Sequence, residues 1–374
     1  MKIGILTFQA SHNCGSMLQA FALQTVLKRE LHADVEIIDY ANKNSRNIYG
    51  FIDWRLNRKS IKRSFDNIMH FNVVKNSREQ YEDFKRQFLV LSDKSLRNTR
   101  ELAKYVTKYD ILIAGGDQVW NVRCSDAGKE YYLDFIHDIR KISYSPSLGG
   151  INILKYADDL SYYRNILQEF EMLSVREPNG KRWLEELTGR EVDIVADPTL
   201  LLTQKEWEEL LPLPEIEGRY IFNYAFYHDF EEVNEALKYI SERTGMPVYV
   251  LDHKSYDYYH LNKYGFLKYE KTGPLAMLGL MKNASLVMTQ SFHGTLFSAL
   301  FHRKFWSYNT DAYYYSDDDR ATAILHQMGL DERYVKINDL RDAPYLLDEI
   351  DYDSVDTKIN VLRDHSLAYI RSIL

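Results

Sequence analysis

Cysteine and long apolar runs are scarce in this sequence. Only Cys14 and Cys124 occur among 374 residues. Two cysteines are too few for a disulfide framework or a cysteine zinc site, and they favour a reducing compartment. No stretch approaches the roughly 20 apolar residues of a membrane-spanning helix, and the first residues lack the apolar core of a signal peptide. We therefore expect a soluble, cytoplasmic protein.

An excess of basic residues is also absent. The chain carries 47 Lys and Arg against 54 Asp and Glu, a net charge of −7. A general nucleic-acid binder needs a basic face that neutralises phosphates, so the composition disfavours that class. Residues 54–63 are the exception, because five of these ten residues are Arg or Lys. We favour a solvated helix face for this run, and contact with the inner face of an anionic membrane is the alternative.

Strand-like and helical patterns alternate along both halves of the chain. An apolar run at 2–8, a helical pattern over 16–29 and a second apolar run at 35–40 predict a strand–helix–strand unit and hence a parallel sheet. Further segments that continue the sheet lie at 109–121, 142–150, 171–177 and 192–202. The alternation restarts at 220–226, after a proline-containing segment.

The length favours two domains, since a single core stops growing near ~250–300 residues. We predict two Rossmann-like α/β domains that face a central cleft, with ligands beyond the carboxyl ends of the strands. The predicted parts are a first domain at 1–208 with a helical basic insertion at 41–95, a second domain at 215–350, and a C-terminal helix at 353–374 that packs back on the first domain.

His293 lies where a strand turns into a helix, in TQSFHGT (289–295). Ser291 or Thr295 can cap that helix, and the free N–H groups at its start favour an anion. A histidine at that end can give and take protons near neutral pH. From the motif alone, a structural histidine bonded to a carbonyl is equally good.

Two acidic residues and an arginine follow other strands. Arg176 and Glu177 end SVRE (174–177); arginine suits two-point recognition of carboxylate or phosphate, but a structural Arg–Glu pair is the commoner case. Asp117 follows two glycines in AGGDQVWN (114–121), where it can act as a base or orient a hydroxyl. A simple tight turn explains that motif equally well.

The first loop, SHNCGS (11–16), is not the GxGxxG of a nicotinamide-dinucleotide site, although a phosphate or sugar at the following helix remains open. We interpret Cys14 as a small buried thiol. The run 316–319 contains three adjacent aspartates, which we interpret as a solvated loop before a helix. With no ligand cluster in the sequence, we expect neither metal nor cofactor.

Taken together, the motifs resemble the polysaccharide pyruvyl transferase family. The segments that carry the resemblance occur in the family's order: GILTFQASHNCGSMLQAFALQ (4–24), DILIAGGDQVWN (110–121), ISYSPSLG (142–149), LSVREPNG (173–180), VADPTLLL (195–202), SLVMTQSFHGTLFSALFHRKFW (285–306) and DRATAILHQMGLDERYV (319–335). Each segment is modestly specific, and the ordered set is strongly specific.

The resemblance implies a fold similar to two-domain (GT-B-like) glycosyltransferases. It also implies transfer of the enolpyruvyl group of phosphoenolpyruvate to two hydroxyls of a sugar, which gives a cyclic pyruvate ketal and phosphate. This chemistry belongs to capsule or exopolysaccharide biosynthesis, on a polysaccharide or a lipid-linked precursor. In the family, the arginine and histidine that align with Arg176 and His293 are associated with the donor.

One position departs from the family pattern. Better-studied members carry an arginine two residues before the histidine, where this chain has Ser291. Arg320, at the start of a predicted helix, is our candidate replacement as a second anion clamp. The expected catalytic residues are His293, Asp117 and Glu177; the expected donor-binding residues are Arg176, Arg320, Ser291, Gly294 and Thr295; the expected acceptor-binding residues are Asn13, Gly15, Gln118, Trp120 and Asn121.

Two other functions remain open at this point. One is a nucleotide-sugar glycosyltransferase of similar shape. The other is a non-catalytic carbohydrate-binding protein of a polysaccharide assembly system. The acceptor sugar, its linkage to lipid, the ketal stereochemistry and the oligomeric state cannot be read from the residues.

Overall fold

Two parallel sheets organise the chain. The computed structural model describes residues 1–55, 57–309 and 320–374, so the predicted acidic loop at 316–319 lies outside the described residues. The first sheet contains β1 (Lys2–Leu6), β2 (Asp34–Ile37), β3 (Ile111–Gly115), β4 (Arg140–Tyr144) and β5 (Phe170–Met172). Its strands are all parallel and follow the order β2-β1-β3-β4-β5.

The second sheet follows two short paired strands, β6 (Ser174–Val175) and β7 (Asp193–Ile194). It contains β8 (Ile221–Tyr224), β9 (Val248–Val250), β10 (Leu267–Lys268), β11 (Leu286–Thr289), β12 (Phe305–Asn309) and β13 (Tyr334–Lys336). The order β10-β9-β8-β11-β12-β13 is that of a Rossmann fold. The predicted pair of Rossmann-like halves is therefore confirmed.

Helices connect the strands. In the first half they are α1 (Cys14–Leu31), α2 (Lys43–Ile48), α3 (Arg58–Met69), α4 (Phe71–Phe88), α5 (Thr99–Tyr105), α6 (Ile153–Tyr156), α7 (Leu160–Gln168), α8 (Pro178–Thr188) and α9 (Gln204–Leu210). After them come α10 (Glu231–Thr244), α11 (His253–Tyr258), α12 (Gly273–Asn283), α13 (Phe292–Leu300), α14 (Arg320–Met328) and α15 (Tyr352–Arg371). No helix in the described part of the chain is long and apolar enough to cross a membrane.

Two predicted strands are wrong in detail. Segment 171–177 is not one strand, because β5 pairs in the first sheet and β6 pairs with β7. Segment 192–202 is extended only over β7, and a 3-10 helix follows at Pro198–Leu201. Asp197 caps that turn by accepting from the Thr199 N–H, and Pro198 has no N–H to offer a neighbouring strand.

The C-terminal helix α15 lies against the first half. The Ala196 N–H donates to Ser366 Oγ at 2.8 Å, and the Tyr369 hydroxyl donates to the Ser143 carbonyl at 2.9 Å. Residues of α15 also belong to the same buried cluster as α1 and β1. The helix thus returns the chain to its beginning, while the domain boundaries given above stay a prediction.

The side chain of Trp207 packs between the two halves. It is fully buried, and its ring centroid lies 5.7 Å from that of Phe21 in α1 and 5.3 Å from that of Phe297 in α13. Its indole N–H donates to the Thr199 carbonyl at 3.1 Å. The interface between the halves therefore depends on a packed aromatic core at this point.

We expect Trp207→Ala to lower the free energy of unfolding by about 3–5 kcal/mol, because the substitution empties a large buried site. Urea unfolding followed by circular dichroism measures this loss. Trp54→Ala is the matched control, since Trp54 is 70% exposed and its removal should change stability by less than about 0.5 kcal/mol. Equal effects of the two substitutions would contradict the assignment.

Candidate active site

The site lies where both sheets reverse their strand order. In the first sheet the reversal falls between β1 and β3, and in the second between β8 and β11. Ligands of open parallel sheets bind at such points, because the loops beyond the two strands leave in opposite directions. Helix α1 follows β1, Asp117 follows β3 and His293 follows β11. The fold therefore brings the predicted motifs of both halves to one cleft.

Gly15 and His293 are in direct contact across that cleft. Gly15 lies in the first turn of α1, and a Cβ placed on it would overlap the imidazole of His293. Only glycine lets the helix start approach the ring this closely. The starts of α1 and α13 thus converge, and each helix contributes the partial positive charge of its N-terminus.

His293 is buried and lies next to a carboxylate. Its side chain is 9% exposed, and its Nε2 lies 3.5 Å from Asp197 Oδ2. That distance is an ion-pair distance when the imidazole is protonated but exceeds an ordinary hydrogen bond, and Nε2 has no hydrogen-bond partner among the described residues. Nε2 therefore faces the Asp197 carboxylate without forming a hydrogen bond to it.

Arg176 completes a buried chain of charges. Its Nη1 donates to Asp197 Oδ2 at 2.7 Å, and its Nε donates to Glu177 Oε1 at 2.8 Å. The guanidinium also lies over the Phe292 ring, 3.8 Å from its centroid. The family resemblance implies that Arg176 binds the donor; in the structure this guanidinium already holds two carboxylates of its own chain. Its main contact with the site is through Asp197.

The charges around Asp197 fix its ionisation. Burial opposes the charged form, but His293 and Arg176 outweigh burial and hold the pKa of Asp197 well below its usual range. Burial likewise opposes the charge on Arg176, and Glu177, Asp197 and Asp117 together raise the pKa of Arg176 above its usual value. Asp197 is therefore a stable anion behind His293.

Asp117 occupies a strained turn beside the buried chain of charges. Gly116 and Asp117 both have positive φ, at +69° and +56°, a conformation that costs a non-glycine residue energy and concentrates at functional sites. The Ser16 hydroxyl donates to Asp117 Oδ2, and the Gln118 N–H donates to Oδ1 at 2.9 Å. Both carboxylate oxygens are thus already engaged.

Glu177 accepts hydrogen bonds through only one of its two carboxylate oxygens. Its Oε1 accepts from Arg176 and from the Ser147 hydroxyl, the latter at 2.7 Å. Its Oε2 is buried without a hydrogen-bond partner in the described part of the chain. Since Ser147 also donates its N–H to the Asp117 carbonyl at 2.7 Å, this serine ties the two predicted bases together.

Several residues predicted for the acceptor have other roles. Trp120, which the sequence predicts to bind the acceptor, is fully buried; its indole N–H donates to the Tyr131 carbonyl and its ring stacks on Tyr132. Gln118 accepts from the Asn121 side chain at 2.9 Å. Asn13 caps α1 by accepting from the Ser16 N–H.

Residues at the start of α13 also form hydrogen bonds and packing contacts with their immediate neighbours. Ser291 is the N-cap, and its hydroxyl accepts from the Gly294 N–H at 3.3 Å. Thr295, which the sequence predicts to bind the donor, is buried and bonds to the Ser291 carbonyl and the Ser307 hydroxyl. Gly294 packs on Thr289, where a Cβ would overlap the threonine hydroxyl. Arg320 begins α14, which packs against α13.

Two residues at the site escaped sequence reasoning. Asp197 stands in VADP after a short strand, and its position before Pro198 is the signal that marks it as a cap. His12 binds Glu82 of α4 at 3.0 Å and stacks on Tyr81. The hydrogen bond from His12, together with Lys85, lowers the pKa of Glu82 to about 2. The partner of His12 lies in the helical insertion, which sequence spacing does not connect to the loop.

Cys14 lies beside this pair without taking part in it. Its thiol is 3.4 Å from the Tyr81 hydroxyl, and burial raises the pKa of Cys14 to about 12. A thiol held in the neutral form is a poor nucleophile. Within residues 1–55, 57–309 and 320–374, no group of three or more His, Cys, Asp or Glu side chains is arranged to hold a metal ion.

We expect Asp197→Asn to lower the free energy of unfolding by about 3–5 kcal/mol at neutral pH, because it leaves the Arg176 charge buried with one partner fewer. Asp197 has a depressed folded-state pKa, so its contribution is present above the unfolded pKa of about 3.9 and is lost as the pH falls. The difference between the two proteins should therefore shrink in acid.

Chemical denaturation at neutral and acidic pH checks this prediction. Glu171→Gln is the control, because Glu171 forms an exposed pair with Arg140, and such pairs are worth less than about 1 kcal/mol. A loss no larger for Asp197→Asn than for Glu171→Gln would show that the buried chain of charges does not stabilise the fold.

Comparison with known structures supports the architecture. A UDP-GlcNAc 2-epimerase from Neisseria meningitidis, bound to UDP-GlcNAc, superposes with a TM-score of 0.55 at 11% identity, over 99% of this chain and 100% of that one. A UDP-N-acetylglucosamine 2-epimerase assigned in Listeria monocytogenes gives the same score and identity over 96% and 90%. At such identities the likeness concerns the fold, which is GT-B-like as predicted.

The sequence itself decides the family. No curated protein matches the chain, but the family model described as polysaccharide pyruvyl transferase matches residues 13–311. That range includes the converging starts of α1 and α13 and the buried chain formed by Arg176, Asp197 and His293. The chain belongs to the polysaccharide pyruvyl transferase family.

Proposed function

We propose that this transferase moves the enolpyruvyl group of phosphoenolpyruvate onto two hydroxyls of a sugar in a polysaccharide or lipid-linked precursor. The products are a cyclic pyruvate ketal and phosphate. The observation that carries the proposal is the buried His293, which is backed by the Asp197 carboxylate and lies at two converging helix starts. A proton donor beside an anion-binding surface is what this chemistry requires.

The donor needs compensation for its carboxylate and phosphate charges. The starts of α1 and α13 supply N–H groups and positive dipole ends at one place. Arg320 remains our candidate for the cation that Ser291 does not provide, since α14 packs against α13. Arg176 acts through Asp197 as a positioning residue in this scheme.

In the first step His293 protonates the methylene carbon of phosphoenolpyruvate, and the neighbouring carbon becomes an oxocarbenium-like centre. Asp197 stabilises the protonated imidazole before the transfer. A sugar hydroxyl attacks the centre and loses its proton to a base. The bond from carbon to the phosphate oxygen then breaks, and the second hydroxyl closes the ring while phosphate carries away the remaining proton.

Glu177 is the better placed of the two predicted bases. Its Oε2 has no hydrogen-bond partner among the described residues, whereas both oxygens of Asp117 accept hydrogen bonds. We therefore assign the hydroxyl proton to Glu177 and the orientation of the acceptor loop to Asp117. No metal takes part in this scheme.

We expect His293→Gln to reduce turnover by about 10²–10⁴-fold, the usual contribution of a general acid, while the protein stays folded. Phosphate release from phosphoenolpyruvate in the presence of acceptor measures the rate. His365→Gln is the matched control, because His365 is half-exposed on α15. Unchanged turnover in His293→Gln would remove His293 from the mechanism.

The reaction is tested by incubating the enzyme with phosphoenolpyruvate and a panel of soluble and lipid-linked glycans. Mass spectrometry should show the pyruvate ketal increment on one acceptor, together with one phosphate released per ketal. Thermal-shift binding of phosphoenolpyruvate and of UDP-GlcNAc separates this function from that of a nucleotide-sugar glycosyltransferase. Stabilisation by UDP-GlcNAc alone, or sugar binding without phosphate release, would contradict the proposal.

A further inference from the structure

Helix α3 has its apolar and polar faces reversed. A helix on the surface of a globular protein normally turns its apolar stripe toward the core. In α3 the buried residues are Ser60 and Asn67. Ile61, Phe65 and Ile68, which share the opposite face by their spacing of three and four residues, are 56%, 60% and 56% exposed.

Polar bonds, not apolar packing, hold this helix in place. Asn57 and Ser60 form a capping box at its start. The Asn67 side chain donates to the Phe51 carbonyl at 2.9 Å and accepts from Lys254 of the second half at 2.7 Å. Arg63 pairs with the buried Asp53. The exposed apolar face is therefore not needed to hold the helix against the rest of the chain.

Large exposed apolar side chains concentrate around this helix. Seven of the 18 that the described residues contain fall within 52–71: Ile52, Trp54, Ile61, Phe65, Ile68, Met69 and Phe71. Scattered apolar residues on a surface are ordinary, but a concentration of this kind marks a binding surface. Trp54 is 70% exposed, and tryptophan is typical of the boundary between water and lipid.

The same surface is positively charged in a chain of net charge −7. Helix α3 contains four Lys and Arg residues and one acid. Lys59, Lys62, Arg63 and Lys254 line an open cavity of about 460 Å³ together with two acids, Asp66 and Asp252. The Lys62 ammonium lies 5.7 Å from the Tyr258 ring centroid. Cations therefore flank the apolar face.

We propose that α3 and the residues beside it dock on an anionic lipid bilayer. The apolar side chains enter the boundary between headgroups and acyl chains, and the flanking cations meet the lipid phosphates. A second copy of this chain fits less well, because a two-fold contact would bring two surfaces of the same positive charge together. This inference does not depend on the reaction proposed above.

The full-length protein is tested by cosedimentation with vesicles of phosphatidylcholine, alone or mixed with phosphatidylglycerol. We expect binding to the mixed vesicles that weakens as salt rises. Phe65→Ser should lower the partition coefficient about tenfold or more, since one apolar side chain leaves the lipid. Lys62→Gln should lower it about fivefold.

Matched controls use exposed positions elsewhere. Val361→Ser on α15 and Lys205→Gln on α9 remove an exposed apolar side chain and an exposed ammonium, and both should bind vesicles as the unmodified protein does. Thermal melts confirm that all four variants are folded, which is expected because each changed side chain is exposed.

Three outcomes would overturn the proposal. The first is the absence of binding to phosphatidylglycerol vesicles. The second is vesicle binding that Phe65→Ser leaves unchanged and inorganic pyrophosphate abolishes, which would show that the cations alone bind phosphate groups and that the apolar face does not enter the bilayer. The third is a dimer in sedimentation velocity that Phe65→Ser dissociates, without vesicle binding, which would assign the face to a second copy.

Discussion

The buried chain of charges that joins Arg176, Asp197 and His293 organises the site. A buried carboxylate is costly unless cations and donors surround it, and Asp197 meets both conditions. Its anionic form lies 3.5 Å from His293 Nε2. The histidine belongs to the second half and its two partners to the first. The contact between His293 and Asp197 therefore forms only when the halves pack together.

The strand orders place the site loops of each half at the edge of its sheet where ligands bind. Each sheet reverses its order once, and the two reversals face one another through the loops that follow β1, β3 and β11. Glycine at position 15 allows the start of α1 to reach the His293 ring. Trp207 packs between α1 and α13 and so supports the same contact. Contacts between the loops and packing of the aromatic core thus both hold the starts of α1 and α13 together.

Family membership and chemical detail rest on different grounds. The family follows from residues 13–311 as a sequence, and the GT-B-like fold agrees with it. The donor, the ketal and the acceptor are proposals that follow from the family resemblance, and the geometry around His293 is compatible with them. The exposed face of α3 is separate from both, since none of its apolar residues takes part in the buried chain of charges.

Local pattern by itself determined the alternation of strands and helices, the pairing into two parallel halves and the place of His293 after a buried strand, because periodicity and capping act over a few residues. Tertiary structure decided the partners. Asp197 contacts His293 only because the two halves pack together. Trp120 is buried in the core although its motif borders the site. The Arg176 guanidinium forms ion pairs with Glu177 and Asp197. Such contacts join residues far apart in the chain, so the spacing of residues in the sequence does not predict them.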